Sequence, residues 1–479
     1  MNLDEAHAVY YAFLLGLCVR VGIEYLNIEF PLGQDTLSYS IGLLKYEQGL
    51  KWDLLYFGPP LPYLMGYVAM LLTGLDEVMV WKFVSPIINS VVVGALTFMV
   101  VKAFKWSWHK ALFLSVVFSF YPVEIIFSNG LYSQHLATAF FFLAITYYVL
   151  ERPINAAVFS LLVALSHPLI STLLCGFLAL EWLRKRYKKE QRRLELPLIA
   201  ILAIVTVLIT FLLPALGSSN PMAEATDHIS SYLVGNAFGI RENTADIMVA
   251  HFMCYCGSLV PCVGIGAFAM APQLLSMLFF TLLMSFIPVG WLWMRWQWVS
   301  TIPLLIVAVD GLYHDDWFKP LRWLKFLVLA VIVLNGILYA TNTEVINRTT
   351  IQFADLGEVA KSCDYIAHIV GDKVFLFISS YENFRVYEYN LAKGGANGVF
   401  VRDNMVVNRN GTIYLSYPAV RGSDFYALRH TTIDVDAKEA FDLVILVRDK
   451  YSATYGHSDS YYRLFTKVKT IGGTEIYVL

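Results

Sequence analysis

A polytopic α-helical membrane protein with a water-facing α/β domain at its C-terminal end is the fold class the sequence predicts, and three observations predict it. Of the 479 residues, 57% are apolar and only 15% charged, with mean hydropathy +0.58. A soluble domain carries about a quarter charged residues. Long uncharged stretches recur through the first 345 residues, and Asp, Glu, Lys and Arg become frequent only after that. The later segment also changes pattern, to one helical period and several short β-rich runs. These divide the chain into a membrane part, 1–345, and a soluble part, 346–479.

A bilayer-spanning helix needs about 20 predominantly apolar residues. Eleven windows meet that description: 6–27, 79–101, 110–128, 131–150, 153–166, 168–183, 196–216, 251–270, 272–290, 293–311 and 322–341. The pair meeting at "SHP" (166–168) is short and reads as a hairpin that does not fully cross. The first window is a retained helix, because Asp4 and Glu5 stand where a signal peptide carries Lys or Arg. A twelfth apolar run, "PPLPYLMGYVAMLLTGL" (59–75), reads by length and composition as a span or as a re-entrant or interfacial helix.

Charge decides between those two. Short cytoplasmic loops are enriched in Lys and Arg, and the basic clusters are "RKRYKKEQRR" (184–193), Lys102 with Lys105 and Lys110, and Lys319 with Arg322 and Lys325. Eleven spans with the N-terminus inside put all three clusters in the cytoplasm only if 59–75 does not cross. The same parity sends the C-terminal domain outside. A multi-pass protein of the plasma membrane is the expected setting, although an endoplasmic reticulum membrane presents the same topology. The basic run at 184–193 is then a topogenic signal, and no nucleic-acid partner is expected.

In 346–479, "FADLGEVAKSCDYIAHIV" (353–370) is the helix, and "KVFLFIS", "NGVFVR", "GTIYLSY", "FDLVILVRD" and "TEIYVL" are the strands. Asn347-Arg348-Thr349 and Asn410-Gly411-Thr412 match the N-glycosylation acceptor pattern and are compatible with an external position. Five of the six cysteines lie in apolar segments, which leaves Cys363 alone in the tail and no disulfide framework there. No repeat, Walker or Rossmann fingerprint, or zinc-ligand spacing occurs.

The external segments collect the polar, irregular parts of the chain, including 28–59, "SNGLYSQH" (128–135), "SHP", 217–250 and "WLWMRWQW" (291–298). Non-helical backbone at membrane depth is tolerated only against protein or water, so the working site belongs on that face. Asp35, in "GQDTLSYSIGLLKYEQG" (33–49), is an acid just beyond the first span, followed by Tyr39, Gly49 and "GPPLPYL" from Gly58.

This stretch, Gly33 to Tyr63, resembles the GT-C superfamily of polyprenyl-phosphate-dependent glycosyltransferases, in particular the protein O-mannosyltransferase and aminoarabinose transferase branch. The resemblance implies a GT-C-like membrane domain that passes a sugar from a polyprenyl-phosphate donor to a protein, lipid or glycan acceptor, with Asp35 as general base. The chain departs from the family at Thr36, where a second acid is usual, and at "LYSQHL" (131–136), where many relatives carry an Asp. No cofactor is certain; a divalent metal is compatible with the family, and these departures bear on it. No "WWDxG" segment occurs, which disfavours en bloc transfer to Asn.

The chemistry needs a base for the acceptor proton and cations for the leaving phosphate. Arg295 among its tryptophans, Arg20 inside the first span and Arg241 in the loop at 217–250 are the phosphate candidates; an interfacial, snorkelling or solvated Arg is the plainer reading of each. Tyr39, Glu124, His135, His167 and His228 are the substrate-binding or supporting candidates, and a lone His at a helix end is more often structural. The competing classes are a transporter or lipid flippase, which paired repeats and interrupted helices in matching halves would favour, and a non-catalytic surface anchor, in which Asp35 is inert.

Overall fold

The computed structural model describes residues 3–25, 36–47, 60–189, 194–208, 249–250, 252–253, 272–286, 292–313, 323–341, 356–373, 375–379, 384–396, 398–402, 406–409, 412–415, 435–436, 441–449 and 464–479. Its first part is helical: α1 (Leu3–Tyr25), α2 (Thr36–Glu47), α3 (Pro60–Thr73), α4 (Val80–Lys102), α5 (Trp108–Ser119), α6 (Pro122–Ser128), α7 (Tyr132–Val149), α8 (Pro153–Ser166), α9 (Pro168–Tyr187), α10 (Glu195–Val207), α11 (Pro272–Ser285), α12 (Leu292–Leu312) and α13 (Trp323–Ala340). Every sequence-predicted window carries one of these helices except 251–270, which lies outside the described residues apart from Phe252 and Met253.

By length and composition, α1 and α4 are each long and apolar enough to cross a bilayer among the described residues. Each has 23 residues, about 34 Å of helix against about 30 Å of hydrocarbon. A third qualifies if α5 and α6 count as one span, but the two are bent by 68°. That bend splits the predicted window 110–128, and its cause is Pro122. Proline drives the preceding residue out of the helical region, and Tyr121 is extended at φ −71°, ψ 130°. The same device separates α8 from α9, where His167 precedes Pro168 and is extended at φ −163°, ψ 127°. Of the two helices expected to be short there, α8 has 14 residues while α9 has 20, because its basic end continues the helix to Tyr187.

The bent α5–α6 corner is held by backbone contact. A Cβ added at Gly336 of α13 would overlap the carbonyl oxygen of Phe120, so only glycine lets α13 approach the corner. Gly336→Ala is expected to lower stability by about 1–3 kcal/mol through overpacking, read as a drop in Tm in detergent.

Ion pairs sort the helix ends into two layers. Helices α1 and α4 run antiparallel: Lys102 Nζ is 2.5 Å from Glu5 Oε2 at one end. Near the other end Arg20 Nε donates to Ser85 Oγ at 2.7 Å. On the Glu5 side, Lys110 at the start of α5 pairs with Asp310 near the end of α12. At the far end of α7, which sets out from the Arg20 side, the Tyr148 hydroxyl donates to Glu195 Oε1 at 2.5 Å, and Lys185 lies 2.8 Å from the same oxygen. Lys102, Lys110 and Lys185 thus lie on one layer, each beside an acidic partner.

The second part comprises α14 (Leu356–Val370), β1 (Phe375–Ser379), α15 (Phe384–Lys393), β2 (Gly398–Arg402), β3 (Val406–Arg409), β4 (Thr412–Leu415), β5 (Val435–Asp436), β6 (Leu443–Arg448), β7 (Thr466–Ile471) and β8 (Thr474–Val478). One sheet has the order β2-β1-β6-β8-β7 and a smaller one β3-β4-β5. β1 pairs in parallel with both β2 and β6. A parallel central strand is covered on both faces, and all five residues of "FLFIS" are buried. The outer strand β7 is exposed and carries Lys467 and Lys469, charges that discourage edge-to-edge pairing.

The two parts meet through α2 and the turn before α4. Leu37, Ile41 and Val78 are buried in one cluster with Val359, Cys363 and Ile366 of α14 and Val386 and Tyr389 of α15. Glu77, beside Val78, accepts from the Tyr389 hydroxyl at 2.5 Å and from Lys393 Nζ at 3.0 Å. Burial pushes the Glu77 carboxyl up, but the Tyr389 O–H, its own backbone N–H and the Lys393 ammonium outweigh it, and the group lies below its ordinary value of 4.5. Asp76 is the other acid facing this contact. A carboxylate whose value is depressed in the folded state stabilises above its unfolded value and loses that contribution as pH falls through the folded one. Contact between α15 and the turn at Glu77 is therefore expected to loosen in acid, as pH falls below the ordinary carboxylate range. The distance between spin labels on α4 and α15 is expected to broaden there in the native chain and to show no such transition in Glu77→Gln.

Candidate functional site

On the layer opposite the basic ends, α1, α4, α6 and α7 enclose a buried polar cluster. Arg20 is fully buried, one turn before Glu24 on α1, and its guanidinium donates to Ser85 Oγ, to Ser128 Oγ at 3.2 Å, to Asn129 Oδ1 and to Glu24 Oε1. An uncompensated charge at this depth is costly, and a planar fork with five N–H donors can satisfy several acceptors at once. Ser128 and Asn129 close α6, so Arg20 fixes the turn between α6 and α7 to α1 and α4.

Beside it, Asn89 Nδ2 donates to the Gly16 carbonyl at 2.7 Å, which leaves Asn89 Oδ1 as an acceptor. His135 Nε2 lies 3.1 Å from that oxygen, so Nε2 carries the proton and Nδ1 is the unprotonated nitrogen. The same Nε2 is 3.3 Å from Glu124 Oε1. His135 and Glu124 are both buried, at 1% and 4% exposure. Neither His135 Nδ1 nor Glu124 Oε1 has a hydrogen-bond partner among the described residues, and neither polar end of Gln134 has one.

Helix α2 is fixed against the start of α7 by hydroxyls. Thr36 Oγ1 and the Tyr132 hydroxyl share a hydrogen bond of 2.9 Å. The Tyr39 hydroxyl and Ser133 Oγ share one of 2.7 Å, and the Ser133 N–H donates to the Tyr39 oxygen at 3.1 Å. Tyr39 packs against Tyr63, Trp81 and Tyr132, with centroids 5.6, 5.2 and 5.2 Å away. Trp81 and Tyr132 stack at 4.8 Å. Gly42 lets the Tyr63 ring lie on α2, since a Cβ there would overlap it.

A second group lies at the α8–α9 hairpin. His167 Nδ1 accepts from the Leu169 N–H at 3.2 Å and caps α9, which leaves Nε2 as its N–H. Arg295 on α12 is half-buried and near enough for its charge to act on His167. Asp310, fifteen residues further along α12, is at the basic layer, so about 22 Å of helix puts Arg295 on the same side as Arg20.

Of the site residues expected from sequence, Arg20, Tyr39, Glu124, His135, His167 and Arg295 are thus brought to one face. Asp35, Arg241 and His228 lie outside the described residues. Glu24, Ser85, Asn89, Ser128, Asn129 and Tyr132 join the cluster without having been singled out. Glu24 had a signal in its spacing of four from Arg20, and Ser85 and Asn89 in sharing one stripe of an apolar helix. Thr36, where a second acid is usual in the family the stretch resembles, supplies a hydroxyl to Tyr132. No group of three or more His, Cys, Asp or Glu that could hold a metal ion occurs among the described residues. His135 and Glu124 make a pair.

No protein-family model and no curated protein matches the sequence. The fold does match solved structures. ArnT from Cupriavidus metallidurans in the apo state aligns over 98% of this chain and 97% of its own, with a TM-score of 0.60 and 13% identity. The arabinofuranosyltransferase AftD from Mycobacteria aligns over 98% of this chain at a TM-score of 0.57 and 12% identity. This chain spans 39% of AftD, about two-fifths of its length. At such identities the likeness is one of architecture: the chain shares its fold with ArnT and with part of AftD.

Proposed function

We propose that the chain is a membrane glycosyltransferase that takes a sugar from a polyprenyl-phosphate donor and passes it, with inversion, to a protein, lipid or glycan acceptor at the outer face. The observation that carries this reading is the fold match to ArnT over nearly the whole of both chains, joined by the gathering of the described candidate residues on one face. In this reading the acceptor oxygen attacks the anomeric carbon from the side opposite the phosphate. The bond from that carbon to the phosphate oxygen breaks, polyprenyl phosphate leaves with the bonding pair, and Asp35 takes the acceptor proton. Arg295 and the Nε2–H of His167 face the leaving phosphate, with Arg241 and His228 supplied by the loop at 217–250. Arg20, committed to Glu24, Ser85, Ser128 and Asn129, acts on the phosphate only through the α6–α7 turn it holds.

The topology that goes with this reading is the sequence-derived one: eleven spans, 59–75 re-entrant, the N-terminus cytoplasmic, and 346–479 outside a plasma membrane. Two features support it. The helix α3 has 14 residues, about 21 Å, shorter than the hydrocarbon core. Leu37 and Val78, before and after it, reach the same C-terminal cluster.

Purified protein in nanodiscs, given labelled polyprenyl-phosphate-linked pentoses and hexoses with extracted membrane glycolipids and glycans, is expected to release free polyprenyl phosphate in step with a new glycoside. Folded protein that releases none from any donor contradicts the proposal, as does a reporter after Leu479 that scores as cytoplasmic.

A further inference from the structure

Helix α2 has two buried stripes that point to different parts of the molecule. Leu37 and Ile41, one turn apart and both 0% exposed, belong to the cluster built by α14, α15 and the sheet. Tyr39 and Leu43, on another side of the helix, belong to the core of the helical bundle. Thr36 and Tyr39 hydrogen-bond to α7 on that same side. A helix of 12 residues is marginal on its own in water, so its placement depends on both packings. The same α15 that packs in this cluster also grips Glu77, in the turn before α4. Glu77 is 5% exposed and takes hydrogen bonds from Tyr389 and Lys393, and Lys393 Nζ also donates to the Tyr389 oxygen at 3.2 Å. Tyr389 is itself a member of the cluster that receives Leu37 and Ile41.

We propose that α15 is a positioning element for the reaction: Tyr389 and Lys393, gripping Glu77, seat the C-terminal part on Leu37 and Ile41 and so fix the first turn of α2, whose preceding residue in the chain is Asp35. The catalytic half of this inference rests on the glycosyltransferase reading. Tyr389 and Lys393 touch no reacting atom. They act by holding the helix that follows the base at a constant place against Tyr132 and Ser133, and a base displaced by an ångström is costly to a transfer that depends on alignment. The C-terminal part is then a component of the active-site scaffold, and its seating sets the turnover.

The test compares full-length protein with Tyr389→Phe combined with Lys393→Met, two changes that leave the apolar contacts in place; amide exchange in β1 and β6 shows that the sheet is intact. Exchange of the α2 amides is expected to rise several-fold. Turnover, read as polyprenyl phosphate released from the labelled donor panel, is expected to fall about tenfold with the donor KM unchanged within about twofold. Glu77→Gln, which keeps an acceptor for Tyr389 and loses the charge, is expected to fall between the two. Unchanged α2 exchange in the double variant overturns the clamp, and raised exchange with undiminished kcat overturns its role in positioning. If the native chain transfers no sugar at all, the glycosyltransferase reading fails, while α2 exchange still decides whether α15 holds α2.

Discussion

Arg20→Met is expected to destabilise the membrane part by about 3–5 kcal/mol, because it removes the buried guanidinium paired with Glu24 inside the helix bundle and leaves that carboxylate only the weaker field of Lys82 and its remaining neighbours. Glu24 is 3% exposed and one turn from Arg20. The acceptors Ser85, Ser128 and Asn129 would also lose the donor that joins α1, α4 and the α6–α7 turn. Replacing both members, as Arg20→Met with Glu24→Leu, removes the stranded charge, and most of the loss is expected to be recovered. Arg20→Lys is expected to behave like the methionine variant in part, since an ammonium on a flexible stem cannot reach four acceptors in the plane the guanidinium serves. Unfolding followed in mixed micelles gives the comparison. A single methionine variant within about 1 kcal/mol of the native chain would show that Arg20 is not the keystone of this cluster.

The helical windows were legible because a bilayer leaves few alternatives: apolar runs of the right length are helices whatever their details. The break inside 110–128 was also written in the chain, as "YP" at 121–122, but length and hydropathy override a single proline when a window is read as one span. Four strands of the five-stranded C-terminal sheet, β1, β2, β6 and β8, follow from alternating and continuous apolar runs, whereas β7, "TKVKTI", and the helix α15 were not expected, and the order β2-β1-β6-β8-β7 does not follow either, since pairing depends on chain crossovers that no local pattern encodes. The candidate site divides in the same way. Arg20, Glu124, His135, His167 and Arg295 are visible as polar groups in apolar surroundings. Their partners mostly are not: Arg20 and Ser128 are 108 residues apart, and His135 and Asn89 are 46 apart. Serine, threonine and tyrosine hydroxyls are common enough in membrane helices that nothing in the sequence marks those which meet.

Asp35→Asn is expected to lower turnover by at least about 100-fold, the lower end of what a positioned general base contributes, with donor KM changed little, since the proposed reading gives the phosphate to Arg295 and His167. The amide keeps the size and hydrogen-bonding reach of the carboxylate while removing its basicity, so loss of rate separates from loss of fold. A metal-supported or electrostatic role for the carboxylate predicts the same direction; base catalysis adds that the native rate falls in acid as the carboxylate protonates, a limb that the asparagine variant lacks. The decisive measurement is single-turnover transfer from a labelled polyprenyl-phosphate sugar by the purified native chain and by Asp35→Asn, with matched helicity and Tm. The expected result is an inverted glycoside and free polyprenyl phosphate from the first and at least about 100-fold slower release from the second; equal rates from the two proteins would contradict a glycosyltransferase that works through Asp35.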